Sequence, residues 1–244
     1  MYTITIYFSS DNYIILSIDG SLGMSKRSYD QHCTVAHALD VVGERWTLLL
    51  VRELLTGPKR FKDLLWGLPG IGTNLLAARL KALEERGVVR RGTLPPPAGS
   101  GIYELTGLGR SLEPVVVALS RWGSRLIGEL QDEDELRPAW VMVALRSLLE
   151  PGAACGPREA YELRIDGETF HLRVGGGAVE ARQGPADDPD VVISGDAGAF
   201  LALTAGRLAV EEALGSGRIR IEGDENGDAR ARCLRVLGSA TTSV

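Results

Sequence analysis

Residues 60–106 run RFKDLLWGLPGIGTNLLAARLKALEERGVVRRGTLPPPAGSGIYELT. Leu64 and Leu65 lie on a short helix that opens after Gly57-Pro58. Pro69-Gly70 ends it, because proline lacks a backbone donor and glycine accepts positive φ. A second helix is predicted over 72–86, with Leu76, Leu80 and Leu83 spaced i, i+4, i+7 as its buried stripe. Its other faces carry Thr73, Asn74, Ala77, Ala78 and Lys81, with Arg79 at the flank. Gly87 is placed to close the helix in a left-handed conformation. Val88 to Arg91 and Ile102 to Leu105 then read as a two-stranded hairpin over 88–105, its tip stiffened by Pro95 to Pro97 and loosened by Gly99 to Gly101. Helix, turn, helix and basic hairpin together form an arrangement in which the second helix enters a major groove about 12 Å wide.

Charge divides the chain in the same sense. The formal net charge is −5, yet residues 24–128 hold 15 Lys and Arg against 9 Asp and Glu, and residues 129–244 hold 12 against 21. A basic half joined to an acidic half is expected of a nucleic-acid module fused to something else. Arg60, Lys62, Arg90 and Arg91 are the candidate phosphate contacts, and Thr73, Asn74, Ala77, Ala78, Arg79 and Lys81 the candidates on the recognition face.

The stretch HCTVAHALDVVGERWTLLLVRELLTGPKRFKDLLWGLPGIGTNLLAARLKALEERGVV resembles the HxlR family of bacterial winged-helix transcription regulators. The likeness covers roughly residues 29–126 and is carried by Cys33, Gly43 to Trp46, Gly57-Pro58, Arg60-Phe61, Leu64, Arg79-Leu80, Leu83, Gly87 and Leu105 to Gly109. It implies a homodimer, a recognition helix at 72–86 and a wing at 88–105. One departure is Gly72, where the family often has a Ser or Thr cap. Residues 108–128 read as one helix whose stripe of Leu112, Val115, Val116, Leu119, Trp122 and Leu126 is wider than the domain's own core needs; the family likeness makes it the dimer surface, and cover for the domain's own core is the other reading. Two recognition helices about 34 Å apart call for a near-palindromic operator.

A second domain is expected over 138–244, after an acidic linker at 131–137. Arg137-Pro138 starts a helix with Val141, Leu145 and Leu148 on one face. Asp166-Gly167 sits between two alternating apolar runs, a hairpin signal. The order of helix, strands, helices, strand and helix gives an α+β class with an antiparallel sheet. The segment DVVISGDAGAFLALTAGRLAVEEALGSGRIRIEGD resembles the sterol carrier protein fold, over roughly 155–240. That resemblance implies an apolar ligand in a tunnel, with Phe170, Leu172, Phe200, Leu201, Leu203 and Leu208 as lining candidates.

Other chemistries find no footing. There is no phosphate-cradling glycine loop, no dinucleotide fingerprint, no His-Glu-x-x-His and no paired Cys-x-x-Cys. No enzyme, cofactor or metal is expected, although His32, Cys33 and His37 are close in sequence. Cys33 precedes a helix, where backbone donors lower a thiol pKa. Some HxlR members sense oxidants through a Cys at the matching place, and a packing role is the other reading. Three unpaired Cys fit a reducing cytoplasm. Residues 1–23 lack Lys and Arg and read as an extension, or a weak extra strand, ahead of a start at Met24. The chain as a whole reads as a two-domain cytoplasmic DNA-binding regulator, a repressor on family grounds, responding to an apolar small molecule in its second half. The alternative is a carrier of hydrophobic molecules whose winged half serves dimerisation.

Overall fold

The structure, a computed structural model, describes residues 5–8, 14–18, 21–24, 28–93, 99–126, 128, 135–148, 156–223 and 227–238. Its contacts divide the chain into two units, Met1–Arg45 and Trp46–Val244. The first unit holds strands β1 (Thr5–Phe8), β2 (Ile14–Ile18) and β3 (Ser21–Met24) in an antiparallel meander, and helix α1 (Thr34–Val42). The stretch expected to hold at most one weak strand therefore forms three, and Met24 ends the last of them. Runs such as Thr5-Ile6-Tyr7-Phe8 and Ile14-Ile15-Leu16 supply the β-branched and aromatic residues that favour this.

The second unit opens with α2 (Thr47–Leu55), α3 (Phe61–Gly67) and α4 (Thr73–Glu85). The hairpin β4 (Val89–Thr93) and β5 (Gly101–Leu105) comes next, then α5 (Gly107–Arg110) and α6 (Glu113–Gly123). Leu50, Val51 and Leu54 of α2, Leu64 of α3, and Leu76, Leu80 and Leu83 of α4 are buried together with Val88, Val89, Ile102 and Leu105. Burying each such side chain contributes about 1.5–3 kcal/mol, enough to hold a small three-helix core. The single helix expected over 108–128 is instead two, interrupted at Ser111-Leu112. Pro114 explains the break: it lacks an N–H and is accommodated in the first turn of α6, where no intrahelical donor is required.

The second half contributes α7 (Pro138–Leu148), strands β6 (Glu159–Ile165), β7 (Glu168–Gly175), β8 (Ala178–Gln183) and β9 (Val191–Gly195), helices α8 (Ala197–Thr204) and α9 (Val210–Gly215), β10 (Ile219–Glu222) and α10 (Asp228–Gly238). The strands form one sheet in the order β10-β9-β6-β7-β8. Asp166 and Gly167, at φ 46° and 83°, make the predicted tight turn between β6 and β7. The sheet is antiparallel except at its centre, where β6 and β9 pair in parallel, Tyr161 opposite Val191 through Ile165 opposite Gly195. The expected antiparallel sheet thus carries one parallel pair, where the chain leaves β8 and returns across the sheet to lie beside β6.

Val141, Met142, Val143 and Leu145 of α7 are all buried, so this helix is apolar over more than one face. A helix of that kind is covered on several sides. α7 packs against α6 and α2 in one direction and α8 in the other. The elements on both sides of the expected linker at 131–137 lie in the second unit. Residues 131–134 of the expected acidic linker, and Pro95 to Pro97 at the wing tip, lie outside the described residues.

Candidate nucleic-acid interface

α4 begins at Gly72, which adopts an extended N-cap conformation (φ −77°, ψ 150°) and offers no side-chain acceptor. It ends in a left-handed turn: Gly87, at φ 68°, donates its N–H to the Glu84 carbonyl at 3.0 Å, and Val88 donates to Leu83 at 2.9 Å. These two bonds satisfy carbonyls that the last turn leaves open. With Leu76, Leu80 and Leu83 inward, the opposite ridge is Asn74, Ala78 and Lys81, flanked by Thr73 and Ala77; all five are exposed. Arg79 is half-buried and engaged with neighbouring groups. The Lys81 ammonium lies 4.0 Å from Glu85.

The wing is built in register, Val89 opposite Leu105, Arg90 opposite Glu104 and Arg91 opposite Tyr103. Arg90 Nε donates to Glu104 Oε1 at 2.9 Å, and Arg91 Nε to Glu84 Oε2 at 3.2 Å. The Arg91 guanidinium also lies over the Tyr103 ring at 5.5 Å. Both arginines are exposed, so these are surface pairs of about 0–1 kcal/mol that a phosphate can displace. Lys59 bonds the wing root at both backbone groups, donating to Tyr103 O at 3.0 Å and accepting from Tyr103 N at 2.8 Å. Arg60 and Lys62 are exposed at the start of α3, where the Arg60 amide donates to Asp63 Oδ2 at 3.1 Å. The Leu105 to Gly109 stretch ties the wing to α5. Thr106 Oγ1 donates to the Gly87 carbonyl and accepts from the Gly109 amide, and a Cβ on Gly109 would stand 2.1 Å from the Val88 carbonyl oxygen.

A set of polar residues that sequence reasoning missed joins this half to the next. Glu53, on α2, is 5% exposed. Its Oε1 accepts from Arg52 Nη2 at 2.8 Å and from Trp140 Nε1 of α7 at 2.9 Å. The Arg52 guanidinium lies 4.6 Å from the Trp140 ring centre, and Arg137 stacks over Trp66 of α3 at 3.8 Å. Gly67 has no room for a side chain, since a Cβ there would meet Glu53 Oε2 at 2.5 Å. At the wing root, Gln183 donates its backbone amide to the Thr56 carbonyl at 3.0 Å, and the Lys59 ammonium bonds the Gln183 side chain. Burial pushes the Lys59 pKa down and the Glu168 pKa up. Arg146 of α7 pairs with Glu113 of α6 and donates to the Val179 carbonyl at 3.0 Å. The available signal was Glu53 itself, a carboxylate between Leu50 and Leu54 on an apolar helix.

The apolar stripe predicted on 108–128 splits between two faces. Val116 is buried and Leu112 half-buried, whereas Val115, Leu119, Trp122 and Leu126 are exposed. Cys33 is the exposed N-cap residue of α1, and hydrogen bonds from the amides of Ala36 and Val35 hold its thiol below the ordinary range. Among the described residues no cluster of metal-ligating groups forms, His32, Cys33 and His37 included.

The candidate ligand residues sit in the second core. Phe170, Leu172, Phe200, Leu203 and Leu208 are buried within it, with Leu201 half-buried. The five buried ones belong to that core, and none of the six borders either of two cavities found nearby among the described residues. One of those is a void of about 10 Å³ between Leu55, Val117, Met142 and Ala181, too small for a ligand. The other is a polar basin of about 590 Å³ at the edge of the sheet, bordered by Arg158, Arg173, Glu180, Asp187, Asp188 and Asp190.

Comparison with known proteins gives two family matches. Residues 41–131 match the HxlR-like helix-turn-helix family, and residues 151–226 match the MDMPI C-terminal domain. The second match stands where the sequence had suggested a sterol carrier fold. Curated relatives align with the winged half. An uncharacterized HTH-type transcriptional regulator of Synechocystis, sll1512, is 37% identical over 92 residues, 38% of this chain and 68% of that protein. The HTH-type regulator YvaP of Bacillus subtilis is 37% identical over 90 residues, covering 37% of this chain and 83% of YvaP. The HTH-type transcriptional regulator YodB of the same organism is 38% identical over 88 residues, covering 36% and 79%. No helix among the described residues is long and apolar enough to cross a membrane. With a helix-turn-helix, a basic hairpin and relatives matched over most of their own length, the chain belongs to the HxlR-like helix-turn-helix family.

Proposed function

We propose that this protein is a homodimeric, DNA-binding transcription repressor that uses α4 as its recognition helix. The observation that carries the reading is α4 itself: three leucines anchor one side while Asn74, Ala78 and Lys81 stand exposed on the other, beside a wing bearing Arg90 and Arg91. The relatives' description as HTH-type transcriptional regulators supports it. The exposed Val115, Leu119, Trp122 and Leu126, spaced i, i+4, i+7, i+11 along α6 and just past its end, are the surface assigned to the second copy. A twofold dimer then reads a near-palindromic operator.

The second half serves as the effector domain. Its grip on α2, on α3 through Trp66 and on the wing root through Gln183 gives any change there a route to the reading head. Coupling of this kind is worth about 1–3 kcal/mol and requires the effector to prefer one arrangement. An apolar effector would have to open the core around Phe170 and Phe200. The decisive experiment is fluorescence anisotropy with duplexes from the gene's own upstream region across a salt series. Binding should weaken steeply with salt, and reversing Arg60, Lys81 and Arg91 to Glu should abolish it while the melting temperature stays unchanged. Absence of binding at low salt would refute the reading in favour of a carrier whose winged half only dimerises.

A further inference from the structure

The exposed ridge of α4 has an unusual chemistry for a reading surface. Its outward hydrogen-bonding side chains stand near the ends, Thr73 and Asn74 at one and Lys81 at the other, while half-buried Arg79 lies on the flank. Between them the exposed positions are Leu75, Ala77 and Ala78, and the two alanines adjoin the centre of the ridge. Asn74 and Lys81 are seven residues apart, about 10 Å along the helix, or roughly three base pairs. At the centre of that ridge Ala77 and Ala78 can neither donate nor accept. Beyond Lys81 the helix ends in Glu84 and Glu85. Glu84 is tied to Arg91, and two carboxylates are poor neighbours for a phosphate backbone. The amino-terminal two turns are therefore the part suited to the groove, the usual docking of a recognition helix.

We propose that the centre of each operator half-site is read through thymine methyl groups, packed against the Cβ atoms of Ala77 and Ala78. This rests on the DNA-binding reading above and names what that site recognises. Thymine alone of the four bases presents an apolar group on the major-groove floor. Opposite two alanines, a guanine O6 or a cytosine amino group would lose water and gain no partner, which is costly. A thymine methyl instead finds a matching surface, and the short alanine side chains let the helix come close enough to meet it. Asn74, one turn away, fits the paired donor and acceptor of adenine. The geometry thus points to a half-site with adenine at the Asn74 end and thymine beside it.

The test uses the full-length protein and a random-sequence duplex pool. Several rounds of selection give the preferred half-site; each thymine in it is then replaced in turn by deoxyuridine, which keeps the base pair and deletes only the methyl. Anisotropy titrations should show affinity falling about fourfold for each methyl removed at one or two central positions. Ala78→Gly should bind the thymine and deoxyuridine duplexes alike at one of these positions. Because the deoxyuridine series is run on the unaltered chain, the result does not depend on how the variant folds. Selected half-sites without central thymine, or deoxyuridine substitutions that leave affinity unchanged throughout, would overturn the methyl reading while leaving DNA binding in place. A pool that shows no enrichment would overturn DNA binding itself, and this inference with it.

Discussion

Replacing Trp140 by phenylalanine should weaken the joint between the two halves by a measurable amount. The indole N–H donates to the buried Glu53 carboxylate at 2.9 Å, and the ring lies 4.6 Å from the Arg52 guanidinium. A hydrogen bond to a charged group is worth about 1.5–3 kcal/mol. The stacked cation adds roughly 0.5–1 kcal/mol, part of which a phenyl ring retains. Arg52 still holds the same carboxylate oxygen at 2.8 Å, so Glu53 is not left bare, which favours the lower end. The expected loss is about 2 kcal/mol. At roughly 2–4 °C per kcal/mol for a body of this size, the melting temperature should fall about 4–8 °C. Scanning calorimetry would read both this shift and the number of transitions. Since α7 is buried against both halves, residues 46–244 should melt as one cooperative transition in the parent chain. A double-mutant cycle with Glu53→Gln isolates the contact, with a coupling of about 1–2 kcal/mol expected. Additive effects of the two substitutions, or two independent transitions in the parent, would refute the joint as described.

Three further outcomes are expected. Gly109→Ala should destabilise by roughly 1–3 kcal/mol in urea unfolding, because its Cβ would stand 2.1 Å from the Val88 carbonyl oxygen and backbone must move. Leu119→Asp combined with Trp122→Asp should convert dimer to monomer in sedimentation equilibrium with little change in melting temperature, as both residues are exposed within one chain. Alkylation should separate the two described thiols. Cys33 is exposed with its pKa lowered by the Ala36 and Val35 amides, so its rate should rise with pH before that of an ordinary thiol, whereas buried Cys233, pushed up to about 12, should react only on unfolding. The depressed Cys33 value also implies a contribution to stability that is present above the unfolded thiol's pKa and fades as pH falls through the folded one.

The winged half was legible because its signals are local. Leucines at helical spacing fixed the inward side of α4, and Gly87 marked its end, both within a few residues of where they act. The Asp166-Gly167 turn was visible for the same reason. What escaped were pairings made at a distance. Nothing in Val191 to Gly195 announces a parallel neighbour, because a short apolar run suits strands of either sense. Trp140 reads as one more apolar residue until Glu53, 87 positions earlier, is seen accepting its hydrogen bond. The ligand residues illustrate the same limit: the side chains that could line a tunnel are those that fill a core, and Phe170 and Phe200 are here fully buried.

The position of α7 bears on how this chain can be taken apart. A fragment ended near residue 131 would keep every element that its shorter relatives match, yet it would strip α7 from α6 and α2 and the Gln183 amide from the Thr56 carbonyl. It would thereby present to water a greasy flank, with Glu53 keeping Arg52 but losing the Trp140 indole. The fusion has become an organ rather than an attachment, and excision should yield a clumping fragment instead of a smaller regulator.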